Sequence, residues 1–179
     1  MGATIRQATV QDAAALAELA AITFPLACPP SSAPEDIAAF IDANLTEEHF
    51  GGYLADPQRT VLVADDDGSL GGYALLVSAP PADPQVAKVL EAAAQPVIEL
   101  SKCYVHPDHH GAGLAAALMA ASVAHGARLG AASLWLGVND ENARAIRFYQ
   151  KSGFVQMGTK TFMLGTRQEH DYVMVRPTD

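Results

Sequence analysis

The stretch YVHPDHHGAGLAAALMAA, residues 104–121, joins the end of a predicted strand to the start of a predicted helix. The turn between them contains Gly111 and Gly113. The first N–H groups of a helix have no acceptor within the helix, and the helix dipole is positive at that end, so such a turn can hold a phosphate. Glycine also lets the backbone come close to a ligand. A tight structural turn explains the same pattern about equally well.

Familiar ligand motifs do not describe this turn. The dinucleotide fingerprint GxGxxG needs a third glycine three residues after Gly113, and Ala116 occupies that position. A P-loop needs Gly-Lys followed by Ser or Thr, and that sequence does not follow here. His106, His109 and His110 are joined by no cysteine and by a single nearby carboxylate. The sequence therefore favours solvated turn histidines and predicts no metal site.

Outward from this turn, strand and helix patterns alternate irregularly. Strand patterns occur in ATIRQATV, RTVLVAD, GSLGGYALLVS, PVIELSKCYV and SLWLGV, and FVQMGTKTFML with HDYVMVRP predicts a final hairpin. Because hairpins are mixed with strand–helix–strand units, we expect an α/β (α+β mixed) fold with a mixed sheet in one domain, residues 1–179. The prolines of residues 25–34 are expected to end the first helix.

Composition narrows the possible functions. Twenty acidic against 11 Lys and Arg side chains give a formal net charge of -9, which disfavours nucleic-acid binding and would suit a cationic small substrate. Cys28 and Cys103 belong to no CxxC pattern. We expect no apolar run of the roughly 18 residues that a membrane span requires. The start of the chain has no signal-peptide layout, so we expect a cytoplasmic protein without membrane partners.

A second stretch, LWLGVNDENARAIRFYQKSGF, residues 134–154, places a strand directly before a capped helix. Asn142 and Tyr149 are seven positions apart and so share one face of that helix. A tyrosine is protonated at neutral pH and can give its proton to a leaving thiolate. Taken alone, Tyr149 would be interpreted as a half-buried core residue.

Together the two stretches resemble the GNAT superfamily of acetyl-CoA-dependent N-acetyltransferases. The glycine loop of that family is matched by residues 110–115, with His110 where the family usually carries Gln or Arg. The family's second motif is matched at Asn142, Ala145, Phe148, Tyr149, Gly153 and Phe154. Looser similarity over the rest of the chain is to the PaiA-type branch, whose members resemble spermidine/spermine N-acetyltransferases.

The resemblance implies a fold and a reaction. The implied fold is a central mixed, mostly antiparallel sheet of about seven strands flanked by helices, with the parallel central strands splayed around the cofactor. Acetyl-CoA is the implied co-substrate, with no metal, and the implied acceptor is a polyamine or other small amine. Tyr149 would act as general acid, and many family members are homodimers. The implied coenzyme contacts are Cys103, Tyr104, Val105, His110, Gly111, Ala112, Gly113, Leu114, Ala115, Asn142, Phe148 and Tyr149.

Glu99 is the candidate general base. It is an acidic residue within the mostly apolar strand PVIELSK, and its burial there would be costly without a purpose. Several family members carry a strand glutamate at this position and use it as a base, often through a water. Strand alternation places Glu99, Ser101, Cys103 and Val105 on one face. The alternative is that Glu99 pairs with a neighbouring cation.

The acceptor side is less defined. Aromatic side chains could wall it, and a set of acidic residues could form a rim for a second ammonium group or could simply be a solvated helix face. Two alternatives to a small-molecule enzyme stay open: a protein N-terminal or lysine acetyltransferase, and a regulatory protein that binds acetyl-CoA. The candidate wall residues are Phe24, Phe50, Tyr53 and Phe162, and the candidate rim residues are Glu35, Asp36, Asp42, Glu47 and Glu48.

Overall fold

The computed structural model describes residues 2–179. The first half of the chain forms β1 (Thr4–Gln7), α1 (Ala13–Ala27), α2 (Pro34–Asn44), α3 (Glu47–Ala55), β2 (Arg59–Asp66), β3 (Ser69–Val77) and α4 (Pro84–Leu90). The second half forms β4 (Val97–Val105), α5 (Leu114–Arg128), β5 (Ser133–Asn139), α6 (Ala143–Lys151), β6 (Val155–Leu164) and β7 (Arg167–Pro177).

The strands form one seven-stranded sheet in the order β1-β2-β3-β4-β5-β7-β6. Every neighbouring pair is antiparallel except β4 and β5. The predicted mixed, mostly antiparallel sheet is therefore confirmed. The parallel pair arises because α5 crosses from the end of β4 back to the start of β5, as parallel neighbours require.

Helices cover both faces of the sheet. On one face, the buried side chains of α5 pack on the central strands, with Leu118 and Met119 against Leu76, Leu100 and Leu134. On the other face, α1 and α3 cover β2 and β3 with a second cluster that contains Leu16, Leu45, Phe50, Val63 and Tyr73. A smaller cluster around Trp135 lies under α4. This second face carries the residues of the acceptor side.

A β-bulge in β4 changes which side chains share a face. Leu75 pairs with Lys102 and Leu76 with Leu100, so Ser101 is an extra residue without a partner in β3. Glu99 therefore lies on the same face as Lys102, and Cys103 lies on the opposite face. The prediction that Glu99, Ser101, Cys103 and Val105 share one face was wrong, because strict alternation does not hold across a bulge.

The first helix is longer than predicted. It continues through Pro25 and ends at Ala27, and Cys28 is its C-cap residue. A proline removes one helical hydrogen bond, and the last turn of α1 forms in spite of that loss.

The expectation that no apolar run is long enough to span a membrane was wrong. Val10–Ala27, 18 residues, is long and apolar enough to cross a membrane by length and composition alone. Core helices pass the same test, and here Leu16, Leu19 and Ala20 are buried against the sheet.

Gly72 permits the close approach of β3 and β4. A Cβ atom there would lie 2.9 Å from the Tyr104 carbonyl oxygen and 2.9 Å from Leu118 Cδ1. We expect Gly72→Ala to lower the free energy of unfolding by about 2–3 kcal/mol through overpacking. The matched control is Gly51→Ala in α3, where a Cβ meets nothing within 4 Å and helix propensity should improve. Urea denaturation of both variants measures the effect, and equal stability of the two would contradict it.

Candidate active site

The central parallel strands separate to form a cavity. The pairing of β4 with β5 ends at Glu99 and Trp135, although β4 runs on to Val105 and β5 to Asn139. Beyond that point the edge of β4 that faces β5 makes no further ladder, so its backbone can bind a ligand. A cavity of about 650 Å³ opens there, within the size range of small-molecule sites. The predicted splay of the central strands is thus present.

The structure brings almost all of the predicted site residues to this one cavity. Glu99 and eleven of the twelve candidate coenzyme contacts line it. The exception is Ala112, which does not line the cavity. Since these residues come from β4, the turn after it, α5 and α6, only the folded sheet can assemble them.

Both glycines of the turn adopt a backbone conformation that favours glycine. Gly111 has φ 86° and Gly113, at the N-cap of α5, has φ 79°. Both values lie in the left-handed region, which glycine adopts without the penalty that a Cβ brings. A Cβ at either position would meet nothing within 4 Å, so backbone conformation rather than crowding requires glycine. The turn leads the first N–H groups of α5 to the cavity, which is the arrangement that holds phosphates.

His110 is more than a solvated turn residue. Its Nε2 lies 3.1 Å from the Val105 carbonyl oxygen, and its Nδ1 lies 3.1 Å from Arg144 Nη2. A neutral imidazole that donates from Nε2 and accepts at Nδ1 satisfies both contacts. The side chain that replaces the family's usual Gln or Arg therefore braces the glycine turn and orients Arg144.

Arg144 is a site residue that the sequence reasoning missed. It lies in the first turn of α6 and lines the cavity beside the glycine turn. A guanidinium at this place can bind a phosphate with charge-assisted hydrogen bonds. Its position inside the second motif, two residues after Asn142, was the only sequence signal for it.

Among residues 2–179, no group of three or more His, Cys, Asp and Glu side chains could hold a metal ion.

Tyr149 lies on α6, half-buried, with its ring 5.5 Å from that of Phe148 and 5.9 Å from that of Phe154. Burial raises the pKa of its phenol well above 10, and the neighbouring Cys103 and Tyr104 side chains add to the shift. The side chain thus stays protonated through the physiological range and can only donate a proton. Asn142 caps the same helix, because its Oδ1 accepts the Ala145 N–H at 3.1 Å.

Cys103 lines the cavity but is a poor nucleophile. Burial raises the pKa of its thiol to about 12, so the thiolate that an acyl-enzyme would need is scarce at neutral pH. This favours direct transfer between two bound substrates over a covalent intermediate.

Four charged side chains from β4, β6 and β7 line the part of the cavity that we call the acceptor side: Glu99, Lys102, Lys160 and Asp171. Burial raises the pKa of Glu99, and the positive charge of Lys102 opposes that rise. Lys160 and Asp171 form an ion pair with 3.3 Å between Nζ and Oδ2. Gly137 makes room for that pair, since a Cβ there would lie 2.8 Å from Lys160 Cε.

Aromatic side chains wall the acceptor side, although not all of those predicted. Phe24 and Phe162 line the cavity, and Phe24 stacks on Phe40 with ring centroids 4.5 Å apart. The prediction was wrong for Phe50, which is fully buried under α1. It was also wrong for Tyr53, which lies outside the cavity and whose hydroxyl donates a 2.6 Å hydrogen bond to the Asn44 carbonyl.

The predicted acidic rim does not form on this cavity. None of the five candidates lines it, namely Glu35, Asp36, Asp42, Glu47 and Glu48. Four of these acids are exposed on α2 and α3, and the fifth, Asp36, is half-buried against Gly165 at the tip of the β6–β7 hairpin. The solvated helix face is therefore the correct interpretation of this acidic cluster.

The tip of the β6–β7 hairpin contacts the segment after α1. Arg167 Nη1 lies 3.4 Å from the Ser31 carbonyl oxygen, and Gly165 lies against Asp36. These contacts bridge the space between the first helices and the final hairpin. An extended peptide would need that space as an open groove.

The glycine turn can be tested apart from catalysis. We expect Gly113→Ala to weaken coenzyme A binding by about tenfold, because its left-handed φ would be strained and the first N–H groups of α5 would move. Gly68→Ala is the matched control, since Gly68 has φ 91° in the turn between β2 and β3 and does not line the cavity. Calorimetric titration with coenzyme A should separate the variants. Equal affinity in both would show that the turn does not hold the coenzyme.

The fold and the cavity together fit a transferase whose phosphate-bearing donor would bind at a helix N-terminus, beside a half-buried acid and a half-buried phenol. The model of the acetyltransferase (GNAT) family matches residues 15–154. An uncharacterized N-acetyltransferase of Mycobacterium tuberculosis is 51% identical over 165 residues, which cover 92% of this chain and 97% of the relative. The chain belongs to the GNAT family, so it is an N-acetyltransferase with acetyl-CoA as co-substrate.

Solved structures agree on the fold. The PaiA N-acetyltransferase from Thermoplasma acidophilum in complex with coenzyme A has a TM-score of 0.79 and 20% identity, with 99% of each chain covered. The ribosomal-protein-S18-alanine N-acetyltransferase from Escherichia coli has a TM-score of 0.69 and 20% identity, with 98% of this chain and 94% of that chain covered. Because a fold hosts many acceptors, these likenesses leave the acceptor to be argued from the cavity.

Proposed function

We propose that this enzyme transfers the acetyl group of acetyl-CoA directly to the primary amine of a small molecule. The observation that carries the proposal is one cavity lined at once by the glycine turn, Tyr149 and Glu99. A direct transfer needs a site for each substrate, a base for the ammonium and an acid for the leaving sulfur.

In this proposal, Glu99 takes a proton from the ammonium of the acceptor. The amine nitrogen then forms the new bond to the carbonyl carbon as the carbon–sulfur bond breaks. Tyr149 gives its phenolic proton to the departing sulfur. The new amide nitrogen loses its second proton, which restores the phenol through solvent, and Glu99 releases its proton to bulk water. Acetyl-CoA supplies the acetyl group as a thioester, and Gly111, Gly113 and Arg144 are the residues that would hold its phosphates.

One observation bears on the acceptor. The hairpin that bridges to Ser31 favours a small molecule over a peptide. The polyamine and PaiA-type assignments stay predictions. Homodimer formation also stays a prediction.

The proposal is tested by thiol release from acetyl-CoA. Purified protein is assayed separately with spermidine, putrescine, lysine, an amino-terminal peptide and an aminoglycoside. Saturable release with a small amine and none with the peptide supports the proposal. Release with the peptide alone would contradict it. Acetyl-CoA that raises Tm without any thiol release would favour the regulatory alternative.

A further inference from the structure

Lys102 is a lysine of the cavity that forms no contact ion pair in the described part of the chain, although Glu99 on the same face is near enough for the two charges to affect each other. The bulge at Ser101 turns this side chain onto the same face as Glu99. Lys102 lines the cavity and is half-buried. Within residues 2–179, no carboxylate lies within salt-bridge distance of its ammonium, and its Nζ makes no hydrogen bond to another side chain. Burial lowers the pKa of Lys102 and the charge of Glu99 opposes that shift, so an anion that arrives with the substrate and contacts the ammonium would hold this lysine in its charged form.

The other charges of the cavity do not meet this need. Lys160 is already neutralised by Asp171, through a pair that Gly137 accommodates. Arg59, a further cation on this face, pairs with Asp56 at 3.3 Å and lies over the ring of Tyr53 at 4.9 Å. With those pairs set aside, the acceptor side presents one acid, Glu99, and one lysine, Lys102.

We propose that the acceptor is an amino carboxylic acid, whose amine binds at Glu99 and whose carboxylate binds at Lys102. This inference rests on the proposed function and names its substrate class. The bulge brings residues 99 and 102 to a spacing of about two strand positions, or roughly 7 Å between Cα atoms. A molecule that carries an ammonium and a carboxylate a few bonds apart fits that spacing. A polyamine would instead place a second ammonium against Lys102.

Matched acceptors test the proposal in the wild-type enzyme. Lysine, ornithine and γ-aminobutyrate are compared with cadaverine, putrescine and propylamine, which lack only the carboxylate, and lysine is also compared with lysinamide. We expect kcat/KM to favour at least one carboxylate-bearing acceptor over its partner by about 10- to 100-fold, the worth of a hydrogen bond to a charged group. A wild-type enzyme that prefers the decarboxylated partner in every pair would overturn the proposal.

Variants assign the preference to Lys102. Lys102→Met should bring the kcat/KM values of matched acceptors to near equality, chiefly through a higher KM for the carboxylate-bearing member. Lys102→Arg should restore part of it. Lys88→Met is the control that should keep the ratio, because Lys88 is exposed on α4 and does not line the cavity. A ratio unchanged in Lys102→Met would overturn the assignment.

A binding measurement separates this inference from the proposed function. Calorimetric titration of the coenzyme A complex with the same acceptor pairs needs no turnover. We expect the carboxylate-bearing member to bind the wild-type complex about tenfold more tightly than its partner, with the difference lost in Lys102→Met. Thiol release that fails with every acceptor while this difference persists would sink the proposed function alone. Equal binding of both members to the wild-type complex would sink the acceptor class.

Discussion

Replacement of Tyr149 by phenylalanine should lower kcat about 100-fold, which corresponds to about 2.7 kcal/mol of transition-state stabilisation. The ring would keep its packing between Phe148 and Phe154, so the cavity should keep its shape. Only the proton for the departing sulfur would be lost. Coenzyme A affinity, measured by calorimetry, should therefore stay close to that of the wild type while steady-state thiol release falls.

The control for this variant is Tyr53→Phe. Tyr53 is also half-buried and hydrogen-bonded, but it lies outside the cavity, so the substitution should cost about 1 kcal/mol of stability and leave kcat unchanged. The pKa of Tyr149 is raised well above 10 by burial, so wild-type kcat should show no loss of the acid form up to about pH 9. A Tyr149→Phe enzyme with wild-type kcat would assign the general acid elsewhere.

The coenzyme half of the site could be predicted from sequence because its parts are local. The left-handed turn at Gly111 and Gly113 and the cap at Asn142 each depend on residues within a few positions of one another. The glycine turn follows β4 and the Asn142 cap follows β5, so the two segments lie side by side once β4 and β5 are neighbours in the sheet. The resemblance to the GNAT family supplied that neighbourhood before any contact was known.

The acceptor half could not be predicted in the same way, because it depends on long-range pairings. Lys160 meets Asp171 across the β6–β7 ladder, and Phe40 reaches Phe24 from another helix. The bulge at Ser101 has no proline or glycine to mark it, yet it decides which side chain joins Glu99. Hydrophobicity alone also could not separate Phe50, which is in the core, from Phe24, which is in the wall.

Replacement of Glu99 by glutamine should lower kcat/KM about 100-fold at pH 7, the usual worth of a positioned base. A primary amine has a pKa of about 10, so almost all of the acceptor is protonated at neutral pH. The wild-type enzyme can use that form because Glu99 removes the proton, whereas the variant must wait for the neutral amine. The defect should therefore shrink by roughly tenfold for each pH unit between 7 and 9, which a pH series of kcat/KM would measure.

Stability distinguishes loss of a base from damage to the fold. Burial raises the pKa of Glu99 above its ordinary value, so its contribution to stability is complete below that ordinary value and is lost as the pH rises through the raised one. Glutamine cannot ionise, so Glu99→Gln should melt at a higher temperature than the wild type at pH 8, and the gap should narrow toward pH 4. Glu91→Gln, which removes an exposed carboxylate, should show neither the rate defect nor this gap. Parallel pH profiles of kcat/KM for Glu99→Gln and the wild type would mean that another group takes the proton, and Glu99 would then be only a neighbour of Lys102.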